Sequence, residues 1–134
     1  MTPVLVDSNI ILDIATQDPV WAGRSGSLLA SVAATAQLII NPIIFAEVSV
    51  GYAQVEELEE ALPPDLFRRE DLPWEAAFLA GKCFLAYRHR GGGRTSTFPD
   101  FFIGAHAALA GYRLMTRDVA RYRTYFPGLE ILTP

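Results

Sequence analysis

Four short apolar runs punctuate this chain: Val4–Asp7 (VLVD), Leu38–Ile40 (LII), Tyr112–Thr116 (YRLMT) and Leu129–Leu132 (LEIL), with helix-compatible stretches between them. Strands that lie parallel in one sheet must be joined by crossovers long enough to hold a helix. The alternation therefore predicts an α/β sandwich with a mostly parallel central sheet. VLV has no polar position, as expected of a strand buried on both faces.

Punctuation residues bound the helices. Gly23–Ala36 is a helix of small residues, and Asn41-Pro42 supplies a cap followed by a proline at the first helical position. A long helix is predicted from Ile43 to about Leu62, stopped by Pro63-Pro64. Pro73–Arg90 is another, followed by a flexible loop at Gly91–Gly93. Phe98–Ala110 forms a helix that Gly111 ends, and Val119–Phe126 forms a short one. No repeat or second-domain linker interrupts the 134 residues, and 51% hydrophobic composition is ample for one core, so residues 1–134 read as a single domain.

Composition narrows the function classes. One cysteine, Cys83, excludes an internal disulfide, and within the apolar helix 73–90 it reads as a small core residue. The start of the chain lacks the pattern of a secretory leader. The most apolar stretch, IINPIIFAEVSVGY, is broken by Asn41, Pro42 and Glu47, too often to cross a bilayer. A soluble cytoplasmic protein without membrane association is expected. The formal charge of −4 argues against holding nucleic acid by overall charge, so any such attraction must be local.

In open parallel sheets, sites form at the carboxyl ends of the strands. Asp7 ends the first strand and Asp118 follows the third apolar run by two residues. Glu47 lies in the helix after the second strand, and Asp100 heads the helix leading into YRLMT. Each aspartate also has a structural reading: Asp7 and Asp118 as helix caps, Asp100 as an acid favoured by the positive end of a helix dipole. Glu47 resists one. Its neighbours a turn away are Ile43, Ile44, Val50 and Gly51, so its carboxylate is expected out of open water and in need of a partner. Phe101–Leu109 is apolar nearly all round, which buries the Asp100 helix and carries its acidic end inward. No lysine or arginine lies inside that helix or near Glu47 in sequence.

Crowded carboxylates at low dielectric need protons or cations to offset their repulsion. Hard oxygen donors without Cys or His favour Mg²⁺ or Mn²⁺ over zinc, and the matching chemistry is phosphodiester hydrolysis. Asp7, Asp100 and Asp118 are candidate ligands, with Glu47 either completing the coordination or orienting the attacking water.

Taken together, DSNIILD at Asp7–Asp13, the helical Glu47, PDFFIGAHA at Pro99–Ala107 and TRD at Thr116–Asp118 resemble the PIN-domain nucleases, specifically the VapC-type ribonuclease toxins of bacterial type II toxin–antitoxin systems. The likeness spans nearly the whole chain in length and motif order. It implies a PIN-like three-layer α/β/α sandwich, with Asp7, Glu47, Asp100 and Asp118 as metal-binding and catalytic acids and Ser8, Asn9 and Thr116 as supporting positions. No acid of the set is missing. The resemblance further implies Mg²⁺- or Mn²⁺-dependent endoribonuclease activity, inhibition of translation, a homodimer, and a small antitoxin that blocks the site.

Arg88, Arg90 and Arg94, with His89, cluster around the glycine loop, either as RNA-backbone contacts or as cations suited to a helix C-terminus. Arg117, Arg121 and Arg123, with Tyr122 and Tyr125, flank Asp118, where they could grip phosphates and stack on bases, or simply form a solvated helix face. His106 points roughly 240° around its helix from Asp100, at about 100° per residue, and reads as a structural histidine. Gly104, one turn from Asp100, is expected to leave space beside it. Trp21 and Trp74 read as packing residues, and Glu56, Glu57, Glu59 and Glu60 as a solvated helix end. A phosphatase with a nucleophilic aspartate on the first strand would want a second aspartate two residues on, where Asn9 stands. A PIN-fold RNA-processing nuclease and a non-catalytic binding module of the same fold are the alternatives.

Overall fold

A computed structural model describes residues 1–92 and 98–134; Gly93 and Arg94, of the glycine loop and its basic cluster, lie outside the described residues. The elements run β1 (Val4–Val6), α1 (Ser8–Ala15), α2 (Ala22–Ala33), β2 (Leu38–Ile40), α3 (Pro42–Ser49), α4 (Val55–Ala61), β3 (Phe67–Arg69), α5 (Trp74–His89), α6 (Phe98–Ala110), β4 (Arg113–Met115), α7 (Val119–Tyr125) and β5 (Ile131–Leu132).

The strands form one all-parallel sheet in the order β3-β2-β1-β4-β5. Val4 of β1 sits between Leu38 of β2 and Arg113 of β4. The chain thus builds outward from β1 in one direction through β2 and β3, then returns to β1's other side with β4 and β5. That reversal makes the β1/β4 boundary the topological switch point, the position at whose carboxyl edge open parallel sheets place their sites. Val4–Val6 and Leu38–Ile40 are wholly buried, which explains their lack of polar positions. Among the helices, α6 packs on β1 and β4 and is flanked by α3, α5 and α7, while α1 and α2 pack together, giving the α/β/α sandwich expected.

Several local expectations change. The predicted 43–62 helix is two, α3 and α4. The Ser49 hydroxyl donates to the Ala46 carbonyl at 2.6 Å, and the Gly51 and Tyr52 amides donate back to the Val48 and Ser49 carbonyls. Such local bonds compete with continuation of the helix. Strand β3 is absent from the apolar pattern because only Phe67 is buried; Arg68 and Arg69 face water at the sheet edge, where charge discourages pairing with another chain. Arg69 forms a forked pair with Glu59 at 2.6 and 3.2 Å, using part of the acidic run on α4. Among the described residues no helix is long and apolar enough to cross a membrane.

Candidate active site

Asp7 leaves β1 at the switch point and occupies the N-cap position of α1. Its side chain is nearly sealed, with 3% of the residue exposed. Asp7 Oδ1 accepts the Ser8 amide at 2.8 Å; Oδ2 accepts the hydroxyls of Thr116 at 2.7 Å and Tyr122 at 3.1 Å and, more distantly, the Asn9 amide at 3.5 Å. All these donors are neutral. Burial pushes the Asp7 carboxyl up to about 7, opposed by the Thr116 hydrogen bond and reinforced by the charges of Asp100 and Glu47.

The supporting residues meet in space from distant parts of the chain. Ser8 Oγ donates to Glu47 Oε1 at 2.9 Å, tying α1 to α3. Asn9 Nδ2 donates to Thr116 Oγ1 at 3.2 Å, and Asn9 Oδ1 accepts the Arg117 amide at 3.2 Å, tying α1 to the loop after β4. Thr116 Oγ1 also accepts the Asp118 amide at 3.0 Å. The DSN tripeptide and the TRD tripeptide are thereby one hydrogen-bonded unit across the switch point.

Glu47 is half-buried, and desolvation raises its carboxyl. The apolar surroundings expected from its helical neighbours are only partly present, since Ile44 is buried but Val50, past the end of α3, is 87% exposed. Asp100 lies in the first turn of α6, as its dipole-favoured reading also required. Burial raises its carboxyl despite a short pair with Arg121 Nη1, 2.6 Å from Asp100 Oδ2. The same Nη1 stands 3.4 Å from Asp118 Oδ2. Asp118 is more open than Asp7 or Asp100, with a side chain 40% exposed, and although it stands at the N-cap of α7 it makes no side-chain cap bond.

Tyr122 replaces the sequence expectation at its position. Instead of offering a face for base stacking, it is buried, and its hydroxyl bridges Asp7 Oδ2 and Asp100 Oδ1, 3.5 Å from the latter. Burial and the neighbouring carboxylates hold the phenol well above its ordinary range, so it remains a donor. Gly104 leaves no open space: a Cβ there would run into the Phe126 ring, which fills the position and locks α7 against α6. Sequence reading also missed Asp13. It is buried and accepts Arg117 Nε and Nη2, both at 2.8 Å, and Ser25 Oγ at 2.8 Å. An acid on the apolar helix after β1 was the available signal, since it needs a partner.

The remaining candidates are dispersed. Arg117 is engaged by Asp13 and stacks over Trp21, 4.7 Å from the ring centroid, so it is a bracing residue rather than a surface cation. Arg88 and Arg90 lie at the end of α5, over Phe84 at 5.8 Å and Tyr125 at 5.4 Å. Arg94 lies outside the described residues. His106 is buried, with Nδ1 3.0 Å from Asn41 Nδ2 and Nε2 2.9 Å from Glu70 Oε1. Because Asn41 Oδ1 accepts the Ile44 amide, its amide nitrogen donates to Nδ1, leaving the Nε2 proton for Glu70. Cys83 is buried, but Trp74 is 89% exposed and packs on little.

The donors suit a hard divalent cation in kind: buried carboxylate oxygens with no guanidinium or ammonium bonded to Asp7. Among the described residues, however, no three His, Cys, Asp or Glu side chains close around one point tightly enough to hold an ion as they stand. The Tyr122 hydroxyl stands between Asp7 and Asp100, and Arg121 between Asp100 and Asp118.

Fold and site together define an α/β protein with a carboxylate cluster at the switch point of an all-parallel sheet. The PIN domain family model matches residues 4–127, and the chain belongs to that family. Solved structures of similar fold include VapBC2 from Rickettsia felis bound to a promoter DNA fragment, with a TM-score of 0.73 at 18% identity over 97% of each chain. VapBC-1 from nontypeable Haemophilus influenzae gives 0.70 at 17% identity, covering 97% of this chain and 96% of that one. A toxin–antitoxin complex from Klebsiella pneumoniae gives 0.67 at 24%, covering 98% and 97%. At these identities the likeness is one of fold. No curated protein matches this sequence.

Proposed function

We propose that this chain, acting as a single PIN-like unit, is a Mg²⁺- or Mn²⁺-dependent endoribonuclease: the toxin of a toxin–antitoxin pair, which hydrolyses RNA phosphodiesters and so arrests translation and growth. PIN domains are generally nucleases, and the similar folds come from toxin–antitoxin complexes. The observation that carries the chemistry is Asp7, a sealed carboxylate held by neutral donors, with Asp100 and Glu47 rather than a cation as its charged neighbours.

Asp7 and Asp100 would hold the ion, with Glu47 beside them to orient the attacking water and Asp118 at the rim of the acid set. Such an ion polarises phosphoryl oxygens and lowers the pKa of water. The protein's own groups supply orientation. Thr116, Asn9 and Ser8 fix the Asp7 carboxylate, and Tyr122 keeps its proton and spaces Asp7 from Asp100. Glu47, steered by Ser8, is the base that takes a proton from the attacking water. Without a cation the acids repel phosphate, so a chelator abolishes activity.

Single-stranded or looped RNA is the substrate whose backbone can splay into a recessed edge. Arg88, Arg90 and Arg94 are the RNA-contact residues in this scheme. A cognate antitoxin covers the site, the chain works as a homodimer, and its place is the cytoplasm. Induced expression of wild type and Asp7→Asn in a bacterial host, following growth and total RNA, tests the proposal. Arrest with discrete cleavage, both lost in Asp7→Asn, is expected; arrest that persists in the variant, or RNA cleavage by purified protein in excess EDTA, refutes it.

A further inference from the structure

Helix α5, which packs on α6, is apolar on two sides. Ala76, Ala80 and Cys83 are buried, while on the opposite side Trp74, Phe78 and Leu85 stand in solvent, 89%, 68% and 48% exposed. A surface helix normally turns a polar face outward, and one apolar all round is covered all round. With Gly81, the exposed residues keep a spacing of four, three and four, that of a coiled-coil seam: Trp74 and Gly81 at d, Phe78 and Leu85 at a. Gly81 has no reason inside the chain. A glycine in mid-helix weakens the helix relative to alanine, and among the described residues nothing lies within 4 Å of where its Cβ would stand. The hollow there is lined by Gly81, Phe84, Leu85, Arg88 and His89, so one helix face carries two aromatic knobs at one end and an open hole towards the other.

We propose that this face is the seam between two copies of the chain, with their α5 helices antiparallel. An antiparallel seam sets a positions against d positions: Phe78 of each copy enters the hollow at Gly81 of the other, and Trp74 lies against Leu85. Glu75 and Lys82 both hold the e position, and antiparallel helices bring e to e, so Glu75 of each copy meets Lys82 of the other. A parallel seam would instead set them against Ala77 and Phe84, at g, which carry no charge. The face is thus complementary to itself under a two-fold axis. Trp74 and Phe78 alone withdraw about 350 Å² per chain from water, close to half of the ~800 Å² per partner of a standard interface. Single-stranded RNA, which exposed aromatics also suit, gives no reason for the glycine or for Glu75. The seam supplies a contact face for the homodimer of the reading above and rests on that part of it alone.

Sedimentation velocity of the purified chain over a concentration series tests the seam, with circular dichroism to confirm that each variant folds; the exposed positions tolerate substitution. Wild type is expected to dimerise, and Phe78→Glu and Trp74→Glu each to raise the dissociation constant about 30-fold or more. Gly81→Gln, which fills the hollow, weakens the dimer without unfolding the chain. Glu75→Lys and Lys82→Glu each weaken it about threefold, and the two together restore it. Val50→Glu, an equally exposed apolar position off this face, leaves the dimer as it is. A dimer that survives Phe78→Glu and Trp74→Glu, or a charge swap that does not restore it, overturns the inference and leaves the homodimer itself standing. If those two variants stay dimeric but lose affinity for single-stranded RNA, the face is a nucleic-acid platform instead. A wild-type chain that is monomeric throughout overturns the inference and the homodimer together.

Discussion

Asp7→Asn should stabilise the metal-free fold at alkaline pH while destroying the proposed activity. The folded Asp7 carboxyl titrates at about 7 against 3.8 for an unperturbed one. At about 1.4 kcal/mol per pH unit, that difference penalises the charged native state by on the order of 4 kcal/mol. Because its folded pKa is the higher one, the native chain binds more protons than the unfolded chain between about pH 4 and 7. Wild-type stability is therefore lost as pH rises through that window and is flat above it. Asparagine cannot ionise, so it escapes the penalty. It does give up hydrogen bonds, since an amide NH₂ can replace only one carboxylate oxygen and would face the donors of Thr116 and Tyr122. Those losses amount to about 1–3 kcal/mol and vary little with pH. The variant should thus be no more stable than wild type at pH 5, and should overtake it as the penalty grows by a further ~2–3 kcal/mol towards pH 8. Urea unfolding followed by circular dichroism in EDTA at both pH values measures the difference. A difference that is the same at pH 5 and pH 8 within about 0.5 kcal/mol would refute the claim that Asp7 sits as an uncompensated charge.

Four further outcomes follow from particular contacts. Adding Mg²⁺ at pH 8 should raise the thermal midpoint of wild type and leave that of Asp7→Asn unmoved, since only a ligand that binds the native state stabilises it. Tyr122→Phe deletes the bridge between Asp7 and Asp100 and should cost about 1–2 kcal/mol of stability in urea titration, with less RNA cleaved per unit time. Gly104→Ala puts a Cβ into the Phe126 ring and should cost about 1–3 kcal/mol, recovered in part when Phe126→Leu is added; full stability of the single variant would contradict the packing. Asp13→Ala strands the Arg117 guanidinium and should cost about 3 kcal/mol, and the double variant with Arg117→Met should be more stable than the single one.

Sequence reading succeeded where one local cause dominates. β1 and β2 are apolar because both their faces are covered, and Gly111, at φ +74, ends α6 in the left-handed conformation that favours glycine. It failed where the cause lay elsewhere in the fold. β3 has one buried side chain and joins the sheet only because the exposed edge of β2 was there to pair with. Trp74 suggested packing by size alone, yet α5 turns it to solvent. Tyr122 and Arg121 belonged to a short helix with the look of a basic surface, and only the docking of α7 against α6, through Gly104 and Phe126, aims them at the acids.

What the sequence determined by itself is the alternation of strand and helix, and with it which acids fall just beyond strand ends. Those are properties of residues close along the chain, where periodicity and caps are decisive. What the tertiary structure decided is the balance of charge among those acids. Asp7 is left with neutral donors 109 and 115 residues away, while Asp100 receives a guanidinium 21 residues on. Whether a carboxylate is paired, spaced or stranded depends on distances of a few ångströms at low dielectric, and contacts so far apart in the chain exist only once the sheet has closed.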